Sequence, residues 1–260
     1  MKKVVFSILA VSIVLVSCNN KPESNQEIDL LESKVSKDLA IADPSNETRE
    51  ANYLYVTAIS GLSLREHNNL NSEKLARMPY GTKIRVITSE EKPTMTVGGI
   101  KGGMDEVEYN HKTGFAFNGY LSKFFPPEID VKPKYYAEEL QTFFPEVSFT
   151  ETIGGTASRP INTETLVLPT TLWHEAFFVA QQLFDFPKDF QFPNPKGKDE
   201  QVIQGKKPKN DVWTTELRVN RKDNSLEKIT YVYGNKGFNY TVTIVQDGET
   251  MKLEKVAVVE

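Results

Sequence analysis

Cysteine is nearly absent. Cys18 is the only one in the chain, so no disulfide braces the body and its stability has to come from packed cores. A hydrophobic fraction of 39 % with 15 Phe and 10 Tyr allows that. Long apolar runs are also missing. Residues 4–16 form the longest, broken only by Ser7 and Ser12, and a spanning helix needs about 20 apolar residues. There is no basic half and no Arg-rich run, which argues against nucleic acid as a partner. No Gly-x-Ser-x-Gly elbow, phosphate loop or Gly-x-Gly-x-x-Gly occurs. Of the three histidines, His67 and His111 fall in polar turns. His174-Glu175 begins like a zinc-peptidase motif, but Phe178 stands four residues after the histidine, where a second ligand is needed. The sequence therefore singles out no catalytic set, no metal and no cofactor. Carboxylates are plentiful, and a glycosidase-type pair drawn from Glu138 or Glu139 with Glu146 stays open without anything to select it.

What is present begins at the amino terminus. Lys2 and Lys3 precede the apolar stretch, and small Ser17 comes just before Cys18. This is the layout of an export signal with its cleavage site. The string Leu15-Val16-Ser17-Cys18 resembles the lipobox of bacterial lipoproteins. That resemblance implies a signal peptide over 1–17, diacylglycerol on the Cys18 sulfur and an acylated new amino terminus. It places the protein in the cell envelope, held to a bacterial membrane by lipid. Two or three acyl chains of palmitate length, at about 0.8 kcal/mol per buried CH₂, make a lasting anchor. Cleavage would remove two lysines and carry the net charge from −4 to −6. Residues 18–50 then read as lipid anchor and polar tether. Ile28, Leu31, Val35 and Leu39 fall at helical spacing within it, but a flexible chain of this length has a root-mean-square reach of roughly 30 Å.

The block 51–125 carries short alternating segments separated by Gly, Pro and Asn corners, the pattern of a small barrel. Val56, Ala58, Leu62, Ser63, Leu64 and Arg65 come first. Gly81, Thr82, Ile84 and Val86 follow, and Lys112, Gly114, Phe115, Ala116, Tyr120 and Leu121 close the block. In order and spacing these residues resemble the bacterial SH3-like (SH3b) domain. Phe115 stands where that family usually has Trp, and residues 92–103, with two Gly-Gly pairs, lengthen a loop. The resemblance implies a binding module that commonly accompanies cell-wall enzymes or envelope proteins. Its ligand site would be an aromatic groove with polar rims, for which Tyr55, Arg65, Tyr80, Tyr109, Phe117 and Tyr120 are the candidates.

Pro126, Pro127 and Pro133 punctuate the next stretch and suggest a boundary. Beyond it, 134–260 reads as an α+β domain. Helical spacing runs over 135–144 and, more strongly, over 169–184 with Pro169 in the first turn. A strand is expected over 146–153 with a turn at Gly154-Gly155. Residues 186–209 read as a long loop, unusual enough to suggest a functional lip. Four strands follow: 211–220 with Trp213, Thr215, Leu217 and Val219 on one face, then 226–233, 238–245 and 251–259. The expected class is mainly β with an α+β C-terminal part: a small SH3-like β-barrel followed by an antiparallel four-stranded meander packed on a helix.

The sequence thus points to an envelope lipoprotein that binds or scaffolds, contacting membrane lipid through Cys18 and peptidoglycan or an envelope protein through the barrel. The alternative is a cell-wall hydrolase accessory, or a carboxylate-based hydrolase that the barrel targets. A papain-like enzyme is excluded if Cys18 carries lipid. Replacing the sulfur (Cys18→Ser) should leave the protein without lipid and uncut, at a mass above the parent's mature form. Continued sedimentation with membranes at the parent's mature mass would refute the anchor.

Overall fold

Alternation of apolar and polar residues makes the first sheet. The computed structural model describes residues 52–206 and 211–259, so the expected signal peptide, Cys18 and the 18–50 tether lie outside the described residues. The chain enters in β1 (Tyr53–Val56), β2 (Leu62–Arg65), β3 (Lys74–Met78) and β4 (Lys83–Thr88). Leu62, Leu64, Ile84 and Val86 turn inward while their neighbours face solvent, as period-2 geometry requires. A hairpin of β5 (Met95–Val97) and β6 (Ile100–Gly102) follows, then β7 (Met104–Tyr109), β8 (Lys112–Phe117) and β9 (Leu121–Ser122). The antiparallel order is β3-β2-β8-β7-β4-β1-β9.

The lengthened 92–103 loop is the β5–β6 hairpin. Gly98 and Gly99 sit at φ of 56° and 81° between the paired Val97 and Ile100. Positive φ at both positions is what a two-residue turn of this hand requires. The same geometry recurs at Asn110-His111, between Tyr109 and Lys112. A buried carboxylate ties these pieces down. Asp105, 1 % exposed, accepts from the Glu90 N–H at 2.9 Å and from Asn118 Nδ2 at 2.8 Å. Asn118 in turn accepts from the Gly103 N–H at 2.8 Å.

The second half opens with α1 (Pro133–Gln141), Pro133 in its first turn. Then come β10 (Ser148–Thr156), β11 (Arg159–Leu168), α2 (Trp173–Leu183) and β12 (Glu200–Gln204). The chain ends in β13 (Val212–Lys222), β14 (Ser225–Asn235), β15 (Phe238–Asp247) and β16 (Thr250–Val259). The expected four-stranded meander is present, but as part of a seven-stranded antiparallel sheet, β10-β11-β16-β15-β14-β13-β12. The class is therefore mainly β, with antiparallel sheets and two helices. Four local expectations change. Gly154 and Gly155 are strand residues paired with Ile161 and Pro160, so the turn lies beyond them. β11 occupies a stretch for which the sequence predicts no element. Residues 186–209 contain β12 rather than loop alone. Trp213 leaves the face of Thr215, Leu217 and Val219, because a bulge between Val212 and Thr214 turns it out to 51 % exposure.

Helix α2 lies on β15 and β16. Ala176, Phe177, Ala180 and Phe184 are fully buried, as are Ile244, Met251 and Leu253. Aromatic rings extend this core: Phe177 meets Phe186 edge-on at 5.0 Å, and Phe186 stacks on Tyr231 at 4.9 Å. The prolines at 126–133 do not interrupt the packing. Phe124 meets Phe144 at 4.8 Å, and the Tyr136 hydroxyl donates to the Phe125 carbonyl at 2.9 Å. The apolar core runs without a break through both sheets, and the described residues fall in one compact unit. Phe177→Ala should cost about 3–5 kcal/mol by cavity creation. Equilibrium urea unfolding checks this, and a single transition that shifts as a whole is the expected outcome.

Candidate functional site

Helix α2 is covered on nearly every side because it packs against both sheets. The face turned to the first sheet carries Glu175, which is 4 % exposed. Its carboxylate accepts from Ser122 Oγ at 2.6 Å and from Thr170 Oγ1 at 2.6 Å. Ser122 Oγ also takes the Phe124 N–H at 3.1 Å, and Thr170 Oγ1 takes the Leu172 N–H at 3.1 Å. This Thr170 turn accounts for a helix start at Trp173 rather than at the expected Pro169. Burial pushes the Glu175 carboxyl up, and the two hydroxyl bonds offset part of that rise. One turn and two turns on, Phe178 packs against Tyr120 at 6.0 Å, and Gln182 donates to the Tyr80 hydroxyl at 3.0 Å.

After α2 the chain is pinned by its aromatics rather than by regular structure. Phe186, Phe190 and Phe192 are buried. The buried Gln181 amide donates to the carbonyls of Pro187 at 3.0 Å and Phe190 at 2.9 Å. The Phe190–Phe192 stretch thereby stands as a ridge opposite the first sheet, with a cleft of about 670 Å³ between them. Phe117, Tyr120, Leu62 and Met104 line the sheet side; Phe178, Phe190 and Phe192 line the other. Two exposed apolar side chains, Ile59 at 46 % and Leu70 at 39 %, stand at its rim. Arg65 and Lys188 supply positive charge. Gly98 comes so close to the Tyr120 hydroxyl that a Cβ there would sit 2.8 Å from it. The hairpin turn therefore closes one end of the cleft, and burial there raises the Tyr120 phenol above its ordinary value. The volume suits a small ligand or a few residues of peptide.

Of the six candidates read from the sequence, this cleft gathers Arg65, Phe117 and Tyr120. Arg65 also braces its own loop, donating to the Ser72 carbonyl at 2.7 Å. The structure places the other three elsewhere. Tyr55 packs edge-on to Phe125 at 6.1 Å. Tyr80 donates to the Pro127 carbonyl at 3.2 Å while accepting from Gln182. Tyr109 packs at the edge of the core. Among the cleft residues that sequence reasoning missed are Ile59, Leu70, Phe178, Lys188, Phe190 and Phe192. The alternate phenylalanines at 190 and 192 were the available signal, in a stretch otherwise rich in Pro, Lys and Gln. Glu138, Glu139 and Glu146 are exposed on or beside α1 and line neither this cleft nor its surroundings. Among the described residues, no group of three His, Cys, Asp or Glu side chains is placed to hold a metal ion. No family model, curated protein or solved structure matches the chain.

His174, beside Glu175, meets Phe192 edge-on at 6.1 Å. Part of its surface still reaches solvent, but the crowding around the ring pushes the imidazole down to about 4. A base held below its unfolded value of about 6.5 contributes stability that is complete above that pH. The contribution is lost as pH falls through the folded value. The raised Glu175 carboxyl has the opposite sign: its contribution is present at low pH and is lost as pH rises through the folded value. His174→Phe keeps the ring contact and removes only the imidazole's titration. Between pH 7 and 4 the parent should lose up to about 3 kcal/mol relative to this variant in urea unfolding. Equal losses in both proteins would contradict the assignment.

Proposed function

We propose that the chain is an envelope lipoprotein, anchored through Cys18, whose SH3-like barrel binds a short peptide stretch. The peptide belongs to peptidoglycan or to an envelope protein, and its place is the cleft against the Phe190–Phe192 ridge. Support for the barrel comes from short antiparallel strands with two-residue turns at Gly98-Gly99 and Asn110-His111. The observation that carries the binding reading is the placing of Ile59 and Leu70. Both are apolar, both are exposed, and both stand at the rim of a cleft already lined with aromatic rings. Exposed apolar side chains scattered singly need no explanation, whereas several around one concavity mark a contact surface. Arg65 and Lys188 at the same cleft suit a ligand that carries carboxylates. The ridge forms the far wall, so the barrel and the C-terminal half build the site together.

Retention on purified peptidoglycan, with crosslinking in cells, tests this. The parent should be retained or should crosslink to an envelope protein at the cleft. Ile59→Asp with Leu70→Asp should weaken that binding at least tenfold without moving the unfolding midpoint, because both side chains are already exposed. A parent that is neither retained nor crosslinked rules the reading out.

A further inference from the structure

The far side of the same ridge faces a second hollow, of about 880 Å³. Its chemistry is different. Lys196, Lys198, Lys206 and Arg221 line it, with Asp189 as the one acidic side chain. The chain as a whole is acidic, at −4, so a concave patch with three excess positive charges runs against its overall balance. The lysines are exposed and make no salt bridge among the described residues.

Arg221 is the group that gives the hollow its character. It sits just after a bulge in β13, between Asn220 and Arg221, and is only 4 % exposed. Its guanidinium donates from Nε to the Asn194 carbonyl, from one terminal nitrogen to the Lys198 carbonyl and from the other to Gln201 Oε1, each at 2.9 Å. All three acceptors are neutral. A guanidinium carries five N–H groups, so one N–H on each terminal nitrogen has no protein acceptor among these bonds. No carboxylate among the described residues offsets its charge, and burial lowers its basicity accordingly. A buried charge without a counter-ion is costly, and an anion in the hollow removes that cost. Gly197 lies over the guanidinium, where even a Cβ would stand 3.5 Å from Cζ. The approach to Arg221 is therefore backbone-thin.

We propose that this hollow binds phosphate groups borne on an extended polar molecule, with Arg221 holding one phosphoryl oxygen set and Lys196, Lys198 and Lys206 neutralising the remainder. Several cations around one fork-shaped donor suit a multivalent oxyanion better than a single carboxylate. The volume is too large for one free phosphate. The site is distinct from the peptide cleft, and the two share only the ridge.

Calorimetric titration of the purified full chain with sodium tripolyphosphate tests this, with inorganic phosphate and citrate as comparison probes. Tripolyphosphate should bind more tightly than either, and a rise from 50 to 200 mM salt should weaken it severalfold. Lys196→Ala with Lys198→Ala should weaken it at least tenfold. Lys92→Ala, on the first sheet's loop, should not, nor should Ile59→Asp with Leu70→Asp, so the outcome is separable from the peptide reading. Absence of binding by the parent at 50 mM salt, unchanged affinity in the double lysine variant, an equal loss in Lys92→Ala, or citrate or inorganic phosphate bound as tightly as tripolyphosphate would each overturn it.

Discussion

A carboxylate between two hydroxyls sets the geometry of this molecule. Glu175 lies between Ser122 of the first sheet and Thr170 at the entry to α2, with both hydrogen bonds at 2.6 Å. A buried carboxylate that lost one of these donors would carry an unmet acceptor costing about 1–3 kcal/mol. The contact therefore fixes which turn of α2 meets β9. Once that turn is fixed, Phe177 falls into the second sheet's core, Phe178 falls against Tyr120, and Gln181 reaches the carbonyls of the following segment. Helix α2 acts as a shared wall and leaves little of itself to solvent. The two sheets consequently have one core between them.

Much of the fold could be read from residue periodicity. Strands β13 to β16 alternate cleanly because one face is buried under α2 and the other meets water, and their two-residue turns carry the Asp, Asn and Gly residues that tolerate positive φ. Legibility failed where that contrast vanishes. Much of β10 and the first part of β11 extend beyond the core, so neither face is strongly apolar. Pro160 and the Gly154-Gly155 pair further imitate a turn. Strand β12 lies at a sheet edge with only Ile203 half-buried, too weak a pattern to stand out in a Lys- and Gln-rich stretch. Trp213 falls on the face opposite to the one its periodicity predicts, because a bulge adds one residue and reverses the alternation.

The candidate cleft was half legible, for a different reason. Arg65, Phe117 and Tyr120 lie in a block whose residue order resembles a binding module, so the sequence itself marks them. Phe178, Phe190 and Phe192 come from a helix and an irregular segment more than fifty residues downstream, and only tertiary packing brings them opposite. Tyr55, Tyr80 and Tyr109 show the converse. Aromatic residues in a small sheet have seals and corners to fill, and these three do so against Phe125, Pro127 and the core edge. Composition cannot separate a ring that waits for a ligand from one that closes a core. The facing surface decides it.

The ridge at Phe190–Phe192 has a wet side on each flank, one aromatic and one cationic. It is held by side-chain anchors and by the Gln181 clamp, with Arg221 gripping the chain just beyond it at the Asn194 and Lys198 carbonyls, rather than by a hydrogen-bonded ladder. A partition of that kind is a common boundary condition for both hollows. Only a molecule that shifted or stiffened it from one flank would alter the free energy of filling the other, and thermodynamic reciprocity would make the effect identical in either direction. Crosstalk between the flanks therefore needs no additional moving part.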